Sequence, residues 1–315
     1  MANKPAAAKA SGSNPAPSRG AEAEPIKAIK LRHPWRWVFS ALIILVAANF
    51  VWDAATNRPV YDWETFGKYI FDKRISEAAL VTLELTICSM IIAIVLGIIL
   101  AVMRLSPNPV FKSVSWFYLW VFRGTPVYVQ LVFWGLIASI YPIITLGIPF
   151  GPSLLEIPAA DVPLFWISVV GLGLNEAAYM AEVVRAGILS VDKGQSEASR
   201  ALGMSWTQTM SRIIIPQSMR IIIPPTGNEV ISMLKTTSLV AAVPFSMDLY
   251  MKTREIAGPL FKPIPLLLVA SCWYLLFTSI LMVGQYYLEK RFARGTGFEV
   301  VRVKKGKNPE SGEPK

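Results

Sequence analysis

The stretch QSEASRALGMSWTQTMSRIIIP, from Gln195 to Pro216, decides how the rest of the chain is read. It is polar and helix-forming, while the sequence on both sides of it is far more apolar. Gln195 to Leu202 reads as a helix with Glu197 and Arg200 one turn apart. Gly203 can end that helix in a left-handed conformation. Ser205 can then cap a second helix, from Trp206 to about Arg212. Ile213 to Ile215 would pack this unit back against its neighbours, and Pro216 marks the turn towards the next apolar run. The physics alone leaves two readings open: a hairpin gripped by a partner, or a merely amphipathic connector.

Composition sets the class. The chain has 315 residues, of which 53% are hydrophobic and 17% charged. Soluble domains carry about 25% charge, so the balance points to lipid. A net charge of +10 raises the possibility of nucleic acid. The basic residues, however, sit in the tails and alternate loops rather than in one patch interleaved with aromatics. A membrane surface accounts for them, and no nucleic-acid partner is expected. Cys88 and Cys272 lie in separate apolar runs, and the single histidine, His33, sits in a basic tail, so no metal site follows.

Six crossings are read in order. Residues 1–34, rich in Ala, Pro, Lys, Ser and Gly, read as a disordered tail. Trp37 to Trp52 is a first apolar run bracketed by interfacial tryptophans, within an extra N-terminal helix over 35–53. It begins late and no small-residue cleavage site follows, so it is not read as a signal peptide. Ala78 to Met103 is long enough to span, since roughly 20 residues suffice. An aromatic surface helix over 110–122 precedes a third span that starts at Thr125, with Thr125 as its cap and Pro126 in its first turn. The fourth span runs from about Leu164 to Leu189. The fifth runs from about Met219 to Pro244 and is expected to kink or break at Pro224, Pro225 and Gly227. The sixth runs from Ile264 to about Leu288.

The tails carry Lys27, Lys30, Arg32 and Arg36 at one end and Lys290, Arg291, Arg294, Arg302, Lys304 and Lys305 at the other. The loops after spans two and four are also basic, whereas Ile140 to Pro163 contains no Lys or Arg. Positive-inside bias therefore puts both termini, and the Gln195–Pro216 stretch, in the cytosol.

At this point the spacing of Glu197, Ala198, Gly203, Ile213 and Pro216 resembles the EAA motif of bacterial ABC importer permeases, with Ser199 where the family usually has Ala. AYMAEVVRAGILSVDKGQ, FRGTP at Phe122–Pro126, PQSMR at Pro216–Arg220 and NEVISMLKTTSL at Asn228–Leu239 resemble the polar amino acid branch. That branch often has an acidic residue or asparagine where Thr236 stands. The resemblance covers about Ser76 to Arg291. It implies an all-α membrane protein with a type I importer permease fold, a five-helix core plus one N-terminal transmembrane helix. The permease domain would cover 76–291, with a coupling loop over 190–216 and a basic tail over 292–315. It also implies a second permease subunit, two ABC ATPase subunits, an extracellular solute-binding protein and an amino acid substrate. ATP and Mg would be bound by the partner ATPase, with no cofactor in this chain. In such permeases the EAA loop docks in a groove of the ATPase, so Glu197, Ala198, Ser199, Gly203, Ile213 and Pro216 are the expected coupling residues.

No GxxxxGK[ST] phosphate loop is present, and one tail histidine supplies no nucleophile set, so this chain is not expected to be an enzyme. Ionisable groups inside spans are costly and suggest a pathway. Glu176 or Glu229 could accept from a substrate ammonium, and Lys235, Asn228 or Ser238 could donate to its carboxylate, with Asn175 beside them. The alternative is a structural network in which Glu229 and Lys235 neutralise one another or pair with Glu176. Glu182 and Arg185 read as a structural pair. Glu84 is read as facing the bundle, Arg123 as a headgroup anchor and WFYLW as an interfacial aromatic belt. A self-sufficient secondary transporter or channel is the competing function; such proteins often show internal repeats, and none is evident.

Overall fold

The structure is a computed structural model and describes residues 34–148 and 151–292. The expected tails, His33 and the tail cations outside these limits fall beyond the described residues. The chain divides into two units, before and after Asn57. In the first, helix α1 (Pro34–Thr56) buries none of its side chains. Its 23 residues extend about 35 Å at 1.5 Å per residue, enough for a bilayer core of roughly 30 Å.

The second unit is helical apart from one hairpin. Its elements are α2 (Trp63–Tyr69), α3 (Lys73–Leu105), α4 (Pro109–Gly124), α5 (Val127–Gly135), α6 (Ile137–Ile140), β1 (Ile143–Gly147), β2 (Ser153–Pro158), α7 (Leu164–Leu189), α8 (Lys193–Ala201), α9 (Trp206–Thr209), α10 (Ile215–Thr236), α11 (Leu249–Leu260) and α12 (Pro263–Phe292). Among the described helices α1, α3, α7 and α12 are long and apolar enough to cross a membrane.

The centre of the unit is the α3–α7 pair. A Cβ on Gly97 would sit 2.6 Å from the Met180 Cβ, and one on Gly173 2.9 Å from the Ile92 Cβ. Only a glycine on each helix lets the backbones approach this closely, as membrane helices do where packing replaces the hydrophobic drive. Leu85, Met90, Ala93, Leu131, Leu172 and Met180 fill the core around that contact. Thr82 and Thr86 return their hydroxyls to the carbonyls of Ala78 and Thr82, whereas the hydroxyl of Ser89, on the same buried face of α3, has no hydrogen-bond partner.

Several sequence expectations change here. The helix expected on the surface at 110–122 enters the bundle. Ser115 Oγ donates to the Leu100 carbonyl, Tyr118 Oη to the Leu174 carbonyl, and the α4 end reaches Asn175 at the middle of α7. Trp116 and Trp120 still stack on its outward face. Thr125 does not cap the next helix: Pro126 is the N-cap residue, and the Thr125 hydroxyl donates back to the Val121 carbonyl. The helical path is thus broken at this point, α4 ending at Gly124 and α5 starting at Val127.

The fifth span starts at Ile215, and its helix continues through Pro224 and Pro225. Each proline lacks the N–H that would close a helical bond. Gln285 of α12 braces the site by donating to the Pro224 carbonyl at 2.7 Å. The α-helix ends only at Thr236, where a 3-10 turn (Thr237–Ala242) takes over. Pro216 consequently lies in the first turn of α10 rather than at a bend between helices.

The β1–β2 hairpin and α11 were not foreseen. Glu84 is exposed instead of facing inward. Arg123 stands 5.4 Å over the ring of Tyr179 on α7, so its contact is an aromatic face within the unit.

One polar corner ties α2 to the start of α12. Asp62 caps α2 through the Thr65 N–H, and its carboxylate lies 2.6 Å from Lys262 Nζ. Trp273 of α12 donates to the Ile70 carbonyl across the same corner.

Candidate coupling hairpin and substrate pathway

The hairpin expected to serve coupling is built by three local devices. Asp192 caps α8 by accepting from the Gly194 N–H at 2.7 Å. Gly203, at φ 75, then closes a Schellman motif: its N–H reaches the Arg200 carbonyl and that of Met204 reaches Ser199, at 2.9 and 3.0 Å. Ser205 and Gln208 form a reciprocal capping box that starts α9. From there a π-helical turn (Met210–Ile214) leads directly into α10. The second arm of the hairpin and the fifth span are therefore one helical run, not two helices with a turn at Pro216.

That geometry sorts the expected coupling residues. Glu197 and Ala198 are exposed, as are Leu202 and Trp206. Ser199 is buried, and its hydroxyl donates to the Gln195 carbonyl at 2.6 Å. The serine thus occupies a small-residue position with its one donor satisfied inside its own helix. Ile214 is buried and Ile213 half-buried, whereas Ile215 and Pro216 are exposed. Gln217 of α10 joins the two arms, bonding the Ile213 carbonyl and approaching Gln195 Oε1 at 3.4 Å.

The pathway candidates separate into three groups. Asn175 is structural: its Nδ2 donates to the Phe122 carbonyl at 3.0 Å and to Gln130 Oε1 at 3.1 Å. Gln130, which sequence reasoning missed, donates to the carbonyls of Phe122 and Thr125 and to the Thr125 hydroxyl. Together they satisfy the backbone freed where α4 breaks. The only signal in the sequence was a glutamine four residues after Pro126, inside an otherwise apolar run.

Glu176 forms the second group with Glu229. Glu176 is buried, its Oε1 has no hydrogen-bond partner, and its carboxyl lies against that of Glu229. Among the described residues neither glutamate forms an ion pair. The alternative reading, in which Glu229 and Lys235 neutralise one another, finds no such ion pair among the described residues. Six residues of α-helix are about 1.7 turns, which sends the two side chains to different faces. Glu182 and Arg185, three apart, do pair at 2.7 Å.

The third group is open to the surroundings. Asn228 and Lys235 are exposed, and Ser238 is half-buried with its hydroxyl donating to the Lys235 carbonyl.

Comparison with known proteins gives this arrangement a family. Residues 93–294 match the family described as the inner membrane component of binding-protein-dependent transport systems. The chain is 58% identical, over 88% of its length and 86% of the relative's, to the arginine transport system permease protein ArgU of Corynebacterium glutamicum. It is 31% identical over 67% of its length and 89% of the relative's to the arginine transport system permease protein ArtQ of Bacillus subtilis. A crystal structure of an amino acid ABC transporter with histidines superposes at a TM-score of 0.58, with 31% identity over 69% of this chain and 94% of that one. The chain belongs to the inner membrane components of binding-protein-dependent transport systems: it is a non-catalytic permease subunit of an ABC importer, whose ATPase is a separate partner.

Proposed function

We propose that this permease carries cationic amino acids, arginine among them, and that Glu176 and Glu229 form the cation-binding part of its path. The observation that carries the reading is their contact: two carboxyls together, one of them buried with an oxygen that has no hydrogen-bond partner, and neither in an ion pair among the described residues. Burying such a pair is expensive unless a cation arrives to share it. A guanidinium, with its planar fork of five donors, suits two carboxylates better than a point charge does. The names of the two arginine permease relatives support the same substrate class.

Two such permeases, identical or related, enclose the path in this reading, and two ATPase subunits, which bind ATP and Mg, drive it from the cytosol. Glu197, Ala198, Leu202 and Trp206 form the face that meets the ATPase, and Gly203 shapes it. Because α9 runs on into α10, a push on the hairpin is transmitted along one helix towards Glu229, a rigid-body shift between two states. An extracellular binding protein delivers the substrate. The chain sits in the bacterial cytoplasmic membrane with both termini in the cytosol, as its Lys and Arg distribution favours. The permease domain is residues 76–291.

Reconstitution tests the proposal. Proteoliposomes holding the permease, its ATPase and its binding protein should take up labelled L-arginine only with ATP. Glu176→Gln combined with Glu229→Gln should lower arginine uptake by about tenfold or more and relax the preference for cations over neutral amino acids. Uptake that continues without ATP, or a double variant with unchanged cation preference, would refute it.

A further inference from the structure

A polar cavity opens away from the glutamate pair. It encloses about 500 Å³ between α5, the 3-10 turn after α10, α11 and α12, and its polar lining is Tyr128, Ser238, Tyr250, Arg254, Ser271 and Tyr274. None of its lining residues is acidic. Arg254 is exposed to the cavity and has no ion-pair partner among the described residues, whereas Lys252, two positions earlier, is held by Glu255 at 2.7 Å.

The donors in this cavity can be sorted by what they already bond. The hydroxyl protons of Ser238 and Ser271 are used on the carbonyls of Lys235 and Leu267. Tyr274 Oη is buried without a hydrogen-bond partner, next to two threonines, Thr82 and Thr237, whose own protons go to helix carbonyls. Asp248, the carboxylate nearest Tyr274, turns its Oδ2 to the first N–H groups of α11. What remains to greet a ligand is the Arg254 guanidinium with the phenolic O–H groups of Tyr128 and Tyr250, the buried Tyr274 hydroxyl being turned to the threonines. That is the complement of a carboxylate.

Position gives the cavity a role. Ser271 and Tyr274 lie in the first half of α12, while Gln285, near its other end, packs on Pro224 in the half of α10 nearest the coupling hairpin. The cavity is therefore at the end of the bundle away from the ATPase face, where a delivered substrate arrives first. Ser238 follows Glu229 by seven α-helical and two 3-10 steps, about 14 Å along the run. Two stations separated in this way are visited one after the other.

We propose that this cavity is an outer reception site for the α-carboxylate of the transported amino acid, held by Arg254 with the tyrosine hydroxyls, before the side chain reaches Glu176 and Glu229. The proposal rests on the substrate being an amino acid, and it is independent of which side chain is carried.

Binding of labelled L-arginine and of L-argininamide, which lacks the carboxylate, to the permease–ATPase complex in nanodiscs tests it without the binding protein's own selectivity. Wild type should prefer arginine by about tenfold. Arg254→Ala should lower arginine affinity to the level of the amide and leave the amide unchanged, which also reports a folded complex. Arg254→Lys should restore part of the preference, and Tyr250→Phe should reduce it in the same direction. Equal weakening of both ligands, or no change in either, would overturn the site. So would an effect of Arg254→Ala seen only in discs containing phosphatidylglycerol, which would assign the arginine to a lipid phosphate. If wild type binds glutamine and not arginine, the cationic reading fails, and glutamine against its α-amide carries the same test of Arg254.

Discussion

Replacing Gly203 by alanine isolates the backbone geometry of the coupling hairpin. Gly203 sits at φ 75, and a Cβ placed there would meet no atom within 4 Å. Steric crowding is thereby removed from the argument, and only the left-handed conformation remains. An L-residue with a Cβ pays roughly 1–2 kcal/mol to occupy it. The two Schellman bonds, from Gly203 and Met204, are made only in that conformation. The hairpin can escape the strain by unwinding the end of α8, which moves exposed Leu202 and Trp206 away from one another. A cost of that size lowers the ratio of intact to unwound hairpin by a factor of about 5–30. Asparagine tolerates the left-handed region far better than alanine. The assay is ATP hydrolysis stimulated by loaded binding protein, measured against ATPase concentration in the reconstituted complex. Gly203→Ala should shift the half-maximal ATPase concentration upward, by at most about that factor, and Gly203→Asn should recover most of it. Equal defects in both variants would refute the conformational reasoning, since they would make the absence of a side chain matter rather than the sign of φ.

Two further outcomes follow from polar contacts. Gln130→Met keeps the volume but strands the Thr125 carbonyl and loses the link to Asn175, so the purified permease should lose about 1–3 kcal/mol, read as a lower melting temperature in detergent; an unchanged melting temperature would mean the break after α4 is held by other groups. At the outer corner, the hydrogen bond from Lys262, followed by those from Thr65, holds the Asp62 carboxyl down at about 2. A depressed carboxylate contributes stability that is present above its ordinary pKa of about 4 and is lost as pH falls towards 2. Lys262→Met should therefore lower the melting temperature at pH 5 and make little difference near pH 2; a difference of constant size across that range would count against the linkage.

The sequence alone determined the class, the position of most apolar helices and the form of the coupling hairpin. Those features rest on local physics. Apolar runs are read by length, Gly203 supplies the one left-handed residue that a helix end requires, and Asp192 and Ser205 satisfy helix donors two or three residues away. Tertiary structure decided the rest. That α4 enters the bundle depends on Ser115, Tyr118 and Asn175 meeting partners 15, 56 and 53 residues distant. Pro224 and Pro225 read as breakers in sequence, yet a continuous helix spans them with Gln285 of a different helix bonded to the Pro224 carbonyl. The same distinction governs the candidate path. Charge within a span marked Glu176 and Glu229 as unusual, but only packing brought the two into contact, while the turn of α10 itself set Lys235 on another face. Arg254 carried no such mark, because it lies on α11, which the sequence reading did not foresee, and it lines a cavity only where α5, the 3-10 turn and α12 pack around it.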